Sequence, residues 1–396
     1  MKFNILHAHF FGSKEINFLY LTLGLSRFAR GLINIFVPIY FWKLGFPLWK
    51  ILFFYFLISL FFVFLAFFII PLLRKTSDEM MLFLSVPFII VYYLGLSIIP
   101  NFLFVFYVLP PFMAIHMILF NIGYHLNFTG AVNGEYIGQE LGAQDVIRKL
   151  FQFSAPLIGG LIIGSLGFKF NFIIGSSILF LAVLPLFFVS KRKFPTKLNS
   201  QSIFSLLRDK DLRPFNVVAL GYGAETMIAR ILWPLFIFLT VGSIQLFGGI
   251  MSLGIFISAI AAYFAGFLSD TGRRKKTLAF SSNFLSVIWA MRLFLVNPLL
   301  IVGSHIGGNI FDSSLMVSWR SLYCKIAKSV SVPGVFIFAQ EILYNIARVL
   351  FLPALMLLSR VFSIEQFFQV SFILAAILTL SYLSANKFYL KSLNRL

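Results

Sequence analysis

Acidic side chains are scarce in this chain: 13 Asp and Glu stand against 32 Lys and Arg in 396 residues. Charged residues of both signs make up 11%, where a water-soluble domain carries about 25%. Too few polar groups remain to coat a surface facing water, and lipid is the solvent that fits such a composition. There is one cysteine, Cys324, so no internal disulfide can form and no metal or redox role follows from it. Met1 to Lys14 lacks the short apolar segment of a secretory signal. No phosphate-binding loop and no metal-ligand spacing occurs, so neither a cofactor nor a metal is expected.

Against those absences, 60% of the residues are hydrophobic, mean hydropathy is +0.95 and Phe occurs 53 times. Phe at that frequency reads as lipid-facing filler. A helix needs about 20 apolar residues to cross a bilayer. Twelve stretches qualify, near 17–41, 50–73, 80–99, 102–126, 148–168, 170–190, 214–240, 245–268, 278–296, 298–319, 334–359 and 364–386. They are too long and continuous for the alternating strands of a membrane barrel. The expected fold is therefore an all-α membrane protein with twelve transmembrane helices. The longest polar loop, Lys191 to Arg213, divides them six and six. That division gives an N-terminal bundle over 1–190, a linker over 191–213 and a C-terminal bundle over 214–396. An internal echo matches it: Ala29-Arg30 then Pro38 in the first span, Ala229-Arg230 then Pro234 in the seventh. Ile346-Ala347-Arg348, with Pro353 following, repeats the pattern in the eleventh.

The net charge of +19 would point to nucleic acid in a soluble protein. Here the basic residues lie in short loops between apolar stretches, which reads as a topology signal and leaves no reason to expect a nucleic-acid partner. With the N-terminus inside, the cytoplasmic segments hold 23 basic residues, among them Arg74, Lys75, Arg148, Lys149, Arg273 to Lys276, Arg320, Lys325 and Lys328. The outer segments hold 5: Lys43, Lys50, Lys169, Arg292 and Arg360. The expected placement is multi-pass in the inner membrane of the cell, both termini cytoplasmic. The segment 127–147, with spaced glycines and acids, reads as a cytoplasmic connector.

Two strings carry more than topology. After the eighth span, Gly266-Phe267-Leu268-Ser269-Asp270-Thr271-Gly272-Arg273-Arg274-Lys275-Lys276 combines a helix end, a tight Gly turn and a basic cluster. Asp270 there can accept bonds from backbone N–H groups or pair with an Arg. The first-half counterpart, Pro71 to Met80, keeps a basic pair and Asp78 without the glycines. In the fifth span, Phe153-Ser154-Ala155-Pro156-Leu157-Ile158-Gly159-Gly160 offers small residues for close helix approach and a proline that kinks the helix. Gly254, Ser258, Ala262 and Gly266, each four apart, form a smooth stripe in the eighth span.

The six-plus-six plan and these strings resemble the major facilitator superfamily. The string after the eighth span is similar to that family's loop signature, with one residue fewer between Asp270 and Gly272. The fifth-span string resembles the Gly-Pro-x-x-Gly-Gly element of its antiporter-type exporters, with Ala155 in place of the first Gly. The resemblance implies two pseudo-symmetric bundles around a central cavity. It implies that Gly266, Asp270, Gly272, Arg273 and Arg274 latch one conformation. It also implies that Ala155, Pro156, Gly159 and Gly160 slide against Gly254, Ser258 and Ala262. Drug–proton antiporters of the family carry an Arg in the fourth span, where this chain has only His116, Asn121 and His125.

An ionisable group at a helix centre costs about 2.5–3.5 kcal/mol on insertion scales, so such groups mark interior faces. They are Arg27 and Arg30 in the first span, Glu225 and Arg230 in the seventh, His305 and Asp312 in the tenth, and Glu341 and Arg348 in the eleventh. Positions 305, 309 and 312 share one helix face, as do 341, 345 and 348. The resemblance places spans 1, 4, 7 and 10 around the cavity. Arg30, His116, Asn121, Glu225, Arg230, His305, Asn309 and Asp312 are then expected to line it, with Arg348 beside them. Asp312, Glu225 and Glu341 are the proton-coupling candidates, since a carboxylate whose Arg contact breaks in one conformation can exchange a proton. His116 and His305 can also titrate near neutrality. For each residue the alternative is a structural ion pair or a satisfied contact between helices. Four Arg against three carboxylates leave a slight positive excess that suits an anionic group on the substrate.

The resulting expectation is a monomeric secondary transporter that carries a small solute by alternating access, coupled to protons. Export by proton exchange is the first reading, because of the fifth-span element. Uptake of a sugar-like or anionic metabolite is the second. A lipid flippase or lipid-binding membrane protein is the reading from another class. An enzyme is not expected, because no set of catalytic acids clusters at a membrane face beyond the adjacent Asp78 and Glu79.

Overall fold

The computed structural model describes residues 14–131, 137–184, 200–295, 297–330 and 332–387. The expected boundary at 190–191, Lys2 and the tail from 388 lie outside the described residues. The first span runs as α1 (Lys14–Ile33), a 3₁₀ turn at Asn34–Phe36 and α2 (Val37–Lys43). α3 (Leu48–Lys75), α4 (Asp78–Leu96) and α5 (Val105–Ala131) follow. The fifth span is α6 (Ile137–Gln152) with α7 (Ser154–Leu166), and the sixth is α8 (Phe168–Val183). A short α9 (Ser200–Arg208) precedes the second half. There, α10 (Arg213–Met227), a π turn at Ile228–Leu232 and α11 (Trp233–Val241) make the seventh span. α12 (Ile244–Leu268), α13 (Arg274–Met291), α14 (Pro298–Ser329), α15 (Pro333–Val361) and α16 (Ile364–Thr379) complete it. Among the described residues, nine helical segments are long and apolar enough to cross a membrane. The first, sixth and tenth spans take the remaining places, the tenth being a 32-residue helix studded with polar groups.

The distribution of side chains is that of a protein dissolved in lipid. Phe64, Phe68, Phe264, Leu350 and Leu357 are exposed, while His116, Glu225, Glu341, Asn345 and Arg348 are buried. With no water at the lipid face, polar side chains gain partners only by turning inward.

The two halves break their helices at matching places for one physical reason. Proline lacks an N–H, and its ring clashes with the carbonyl four residues earlier. For Pro38 that carbonyl is Asn34, where the 3₁₀ turn begins; for Pro234 it is Arg230, inside the π turn. Each half then leaves its first span through a glycine with positive φ, Gly45 at 79° and Gly242 at 72°. Other starts are capped by side chains: Ser77 accepts from Met80 N, and Ser363 forms a reciprocal cap with Gln366.

Two expectations need correction. The connector 127–147 is helical over its described residues, since α5 runs on to Ala131 and α6 starts at Ile137, its polar side chains notwithstanding. The break between α6 and α7 falls at Phe153, next to the Gln152 carbonyl that the Pro156 ring disfavours. After the eighth span there is no tight Gly turn either. The chain winds through a π turn at Ser269–Arg273 straight into α13, and Arg274 Nε donates to Ser269 Oγ at 3.1 Å.

Candidate functional site

α6 carries Asp145, Arg148 and Lys149 at i, i+3 and i+4, which places all three on one helix face. Asp145 is buried and pairs with Arg148, with Lys149 at 3.0 Å, and with Arg320 of α14 at 3.0 Å. Lys149 Nζ also donates to the Ser258 carbonyl at 3.0 Å and to Ser313 Oγ at 2.6 Å. Arg148 donates to the Tyr124 hydroxyl of α5. On the same side of the molecule, Asn121 Nδ2 donates to Glu341 Oε2 of α15 at 2.8 Å, and His125 Nε2 lies 3.8 Å from that carboxylate. These bonds tie α5 and α6 of the first half to α12, α14 and α15 of the second. Arg148, Lys149 and Arg320 are therefore not free basic residues of cytoplasmic loops; they close a polar network around one carboxylate.

Toward mid-membrane, α1 presents Arg27 and Arg30 to α5. The Arg30 guanidinium lies 4.0 Å from the Phe120 ring centroid, and its Nε donates to the Ser26 carbonyl at 3.1 Å. Arg27 sits 5.9 Å from Phe120 and 5.6 Å from Tyr124. In the second half, Arg230 occupies the π turn, is exposed and donates to the Tyr222 hydroxyl at 3.2 Å. π turns inside helices recur at functional sites because they re-aim one residue without ending the helix. Asp312 on α14 is also exposed, and its charged surroundings are Lys149, Arg230, Arg320 and Arg292. Glu225 is buried nearby and feels Asp312, Arg230 and Arg292. Arg348 is buried and bonds Asn345 Oδ1 at 3.1 Å.

Other expected cavity residues have partners within one half. His116 bonds the Ser85 carbonyl of α4 through Nδ1 at 2.9 Å. His305 is buried and receives the Trp233 indole N–H at 3.1 Å, while Asn309 Nδ2 donates to the His305 carbonyl at 2.8 Å. Arg292, expected in an outer segment, is buried between two indoles. It lies 3.6 Å from the Trp233 ring and 3.9 Å from Trp289, with Ser304 Oγ accepting from Nε at 3.0 Å. Desolvation strengthens such cation–π contacts.

The small-residue positions allow the halves to touch backbone to backbone. A Cβ on Gly160 of α7 would sit 2.8 Å from the Ile244 carbonyl of α12. The Pro156 backbone lies in the same seam, against Gly248 of α12, whereas Ala155 packs on Gly31 and Gly159 on the Leu32 backbone, both of α1. The stripe on α12 divides its work: Gly254 faces His305 and Asn309 within its own half, while Ala262 and Gly266 back onto Gly142 of α6. Ser258 offers its carbonyl to Lys149 and to Ser313 Oγ, the latter at 2.8 Å. Asp270 acts electrostatically on Arg274 and Lys325, both in the second half.

The sequence reading missed Asp145 and its partners, and the role of Tyr124. The available signal was the Asp145-x-x-Arg148-Lys149 spacing, which pairs an acid with bases on one helix face. Arg320 gave no signal, lying one residue beyond the expected end of its span.

Inward-turned charge beneath an apolar exterior, with nine segments among the described residues long and apolar enough to cross a membrane, defines an integral membrane protein. Its backbone is similar to the crystal structure of the E. coli fucose:proton symporter, with a TM-score of 0.67 over 94% of this chain and 98% of that one, at 13% identity. That likeness spans both halves and shows the fold to be of the major facilitator type. No family model and no curated protein matches the chain.

Proposed function

We propose that the protein is a proton-coupled secondary transporter that brings a small polar solute into the cell by alternating access. One observation carries this reading. Asp312 and Glu225 of the second half and Arg27 and Arg30 of the first sit within apolar spans and belong to no ion pair among the described residues, in a fold shared end to end with a proton symporter. Charges held there cost free energy and are retained at transport pathways. The likeness favours uptake over the export reading. The fifth-span element that pointed to export is accounted for by close packing of α7 on α12, which serves either direction.

Asp312 is the proton carrier in this proposal. It is exposed, and among the described residues no Lys, Arg or His side chain lies within 4.0 Å of it. Glu341 is hydrogen-bonded to Asn121 and Glu225 is buried, so both are less open to exchange. The protein works as a monomer with both termini cytoplasmic. The close approach of Gly266 to Gly142 holds α12 against α6 in the conformation described.

The test is solute-evoked proton movement in proteoliposomes loaded with a pH-sensitive dye. The solutes offered are neutral sugars, sugar acids and small organic anions. Acidification of the lumen on adding one of them, abolished by a protonophore, is the expected result. Solute entry without any proton movement would remove the coupling, and no entry of any solute would remove the transporter reading.

A further inference from the structure

The arginines of α1 have a property that the fold does not explain. The titratable groups acting most strongly on Arg27 are Arg30, Tyr124, Arg320 and Arg230; on Arg30 they are Tyr93, Tyr124 and Arg148. None of these is a carboxylate. The four ion pairs among the described residues engage Asp145 and Glu341, and none includes Arg27, Arg30, Arg230 or Arg348. One guanidinium nitrogen of Arg30, Nη2, is buried without a hydrogen-bond partner. Aromatic rings fix the planes of these guanidinium groups, Phe120 under Arg30 and Tyr124 beside Arg27. Fixed planes leave the N–H edges free to bond something else.

Two like charges three residues apart repel, and an unpaired cation in a membrane interior is expensive. Buried donors are almost always satisfied, so a vacant one marks a missing partner. A guanidinium presents a planar fork of donors that matches a carboxylate or phosphate oxygen pair. Arg230 of the other half acts electrostatically on Arg27; it is exposed and, among the described residues, is bonded to the Tyr222 phenol.

We propose that Arg27 and Arg30 of α1, together with Arg230 of the π turn, form an oxyanion-binding site, and that the transported solute is a small organic anion. The inference rests on the transporter reading above and narrows its substrate class. The anion neutralises the α1 pair and bonds to arginines of both halves, so its occupancy couples one half to the other. Sugar acids and sugar phosphates satisfy the same chemistry as simple carboxylates, and the test separates them.

Binding is measured by calorimetry on the purified full-length protein in detergent, independently of transport. The probes are glucose, glucuronate, glucose 6-phosphate, lactate and succinate. The expected result is binding of at least one anion and none of glucose. That affinity should fall about tenfold or more in Arg30→Gln and in Arg230→Gln, and less in Arg30→Lys, which keeps the charge. Glucose binding as tightly as the anions, no anion binding, or anion affinity unchanged in both Gln variants would each overturn the proposal. Should the variants fail to fold, wild-type protein is treated with phenylglyoxal and Arg230 followed by mass spectrometry. Protection by the anion supports the site and absence of protection overturns it. Anion binding without any solute-evoked flux in proteoliposomes would retain this site and remove the transport reading instead.

Discussion

Asp145 shows how one side chain can hold two halves of a molecule together. Three cations surround it, two from its own helix and one from α14. Removing one partner of a buried ion pair leaves the others uncompensated, at a cost of about 3–5 kcal/mol. Asp145→Asn should therefore lower Tm sharply in detergent. Arg320→Ala should cost less, because Arg320 is about a third exposed and leaves Lys149 and Arg148 on the acid. An unchanged Tm in Asp145→Asn would show that the network contributes nothing. Residues such as Arg30, Arg230 and Asp312 were legible in the sequence because a charge inside an apolar run stands out. Arg148, Arg320 and Arg292 were not. Near the end of a span, a basic residue that anchors topology and one that turns inward have the same sequence context. Only packing distinguishes them, as the two indoles around Arg292 do.

At the scale of the helix, proline placement decides where the site residues point. Pro234 loosens the ladder at Arg230, and the π turn that results aims that side chain. Pro234→Ala restores an N–H and relieves the ring clash, worth about 3 kcal/mol in a helix interior. The expected outcome is an equal or higher Tm with weaker solute binding, because a regular helix would turn Arg230 away. Wild-type affinity in this variant would contradict the role given to the turn. The α7–α12 seam makes a further demand. Gly160→Val places side-chain atoms against the Ile244 carbonyl and should cost about 1–3 kcal/mol through overpacking, with loss of transport. Gly303→Ala has nothing within 4 Å of the added carbon and should be neutral or gain up to about 1 kcal/mol in Tm measurements. The matching prolines of spans one and seven were readable as an internal echo. That one produces a 3₁₀ turn and the other a π turn was not, since both follow from the same missing N–H and differ only in how neighbouring helices receive the slack.

For the whole molecule, the six-plus-six plan was visible in the long polar loop and in the length of the apolar runs. The inward extension of the fifth span was hidden because polar residues dilute its hydropathy, although α6 is a continuous helix over them. What the sequence does not encode legibly is which inward charges meet across the halves. Asn121 and Glu341 lie 220 positions apart and bond at 2.8 Å, a pairing set only by how the bundles dock. In the proposed transport cycle the bundles part at such contacts as a solute passes, and the proton rides on a group that both sides can reach. Asp312→Asn tests that directly. Proteoliposomes carrying the variant are compared with wild type for two activities, exchange of labelled for unlabelled solute and accumulation driven by an inward proton gradient. Exchange preserved with accumulation lost is the predicted result, since Asn can complete the cavity but cannot carry a proton. Accumulation at the wild-type level would contradict the account.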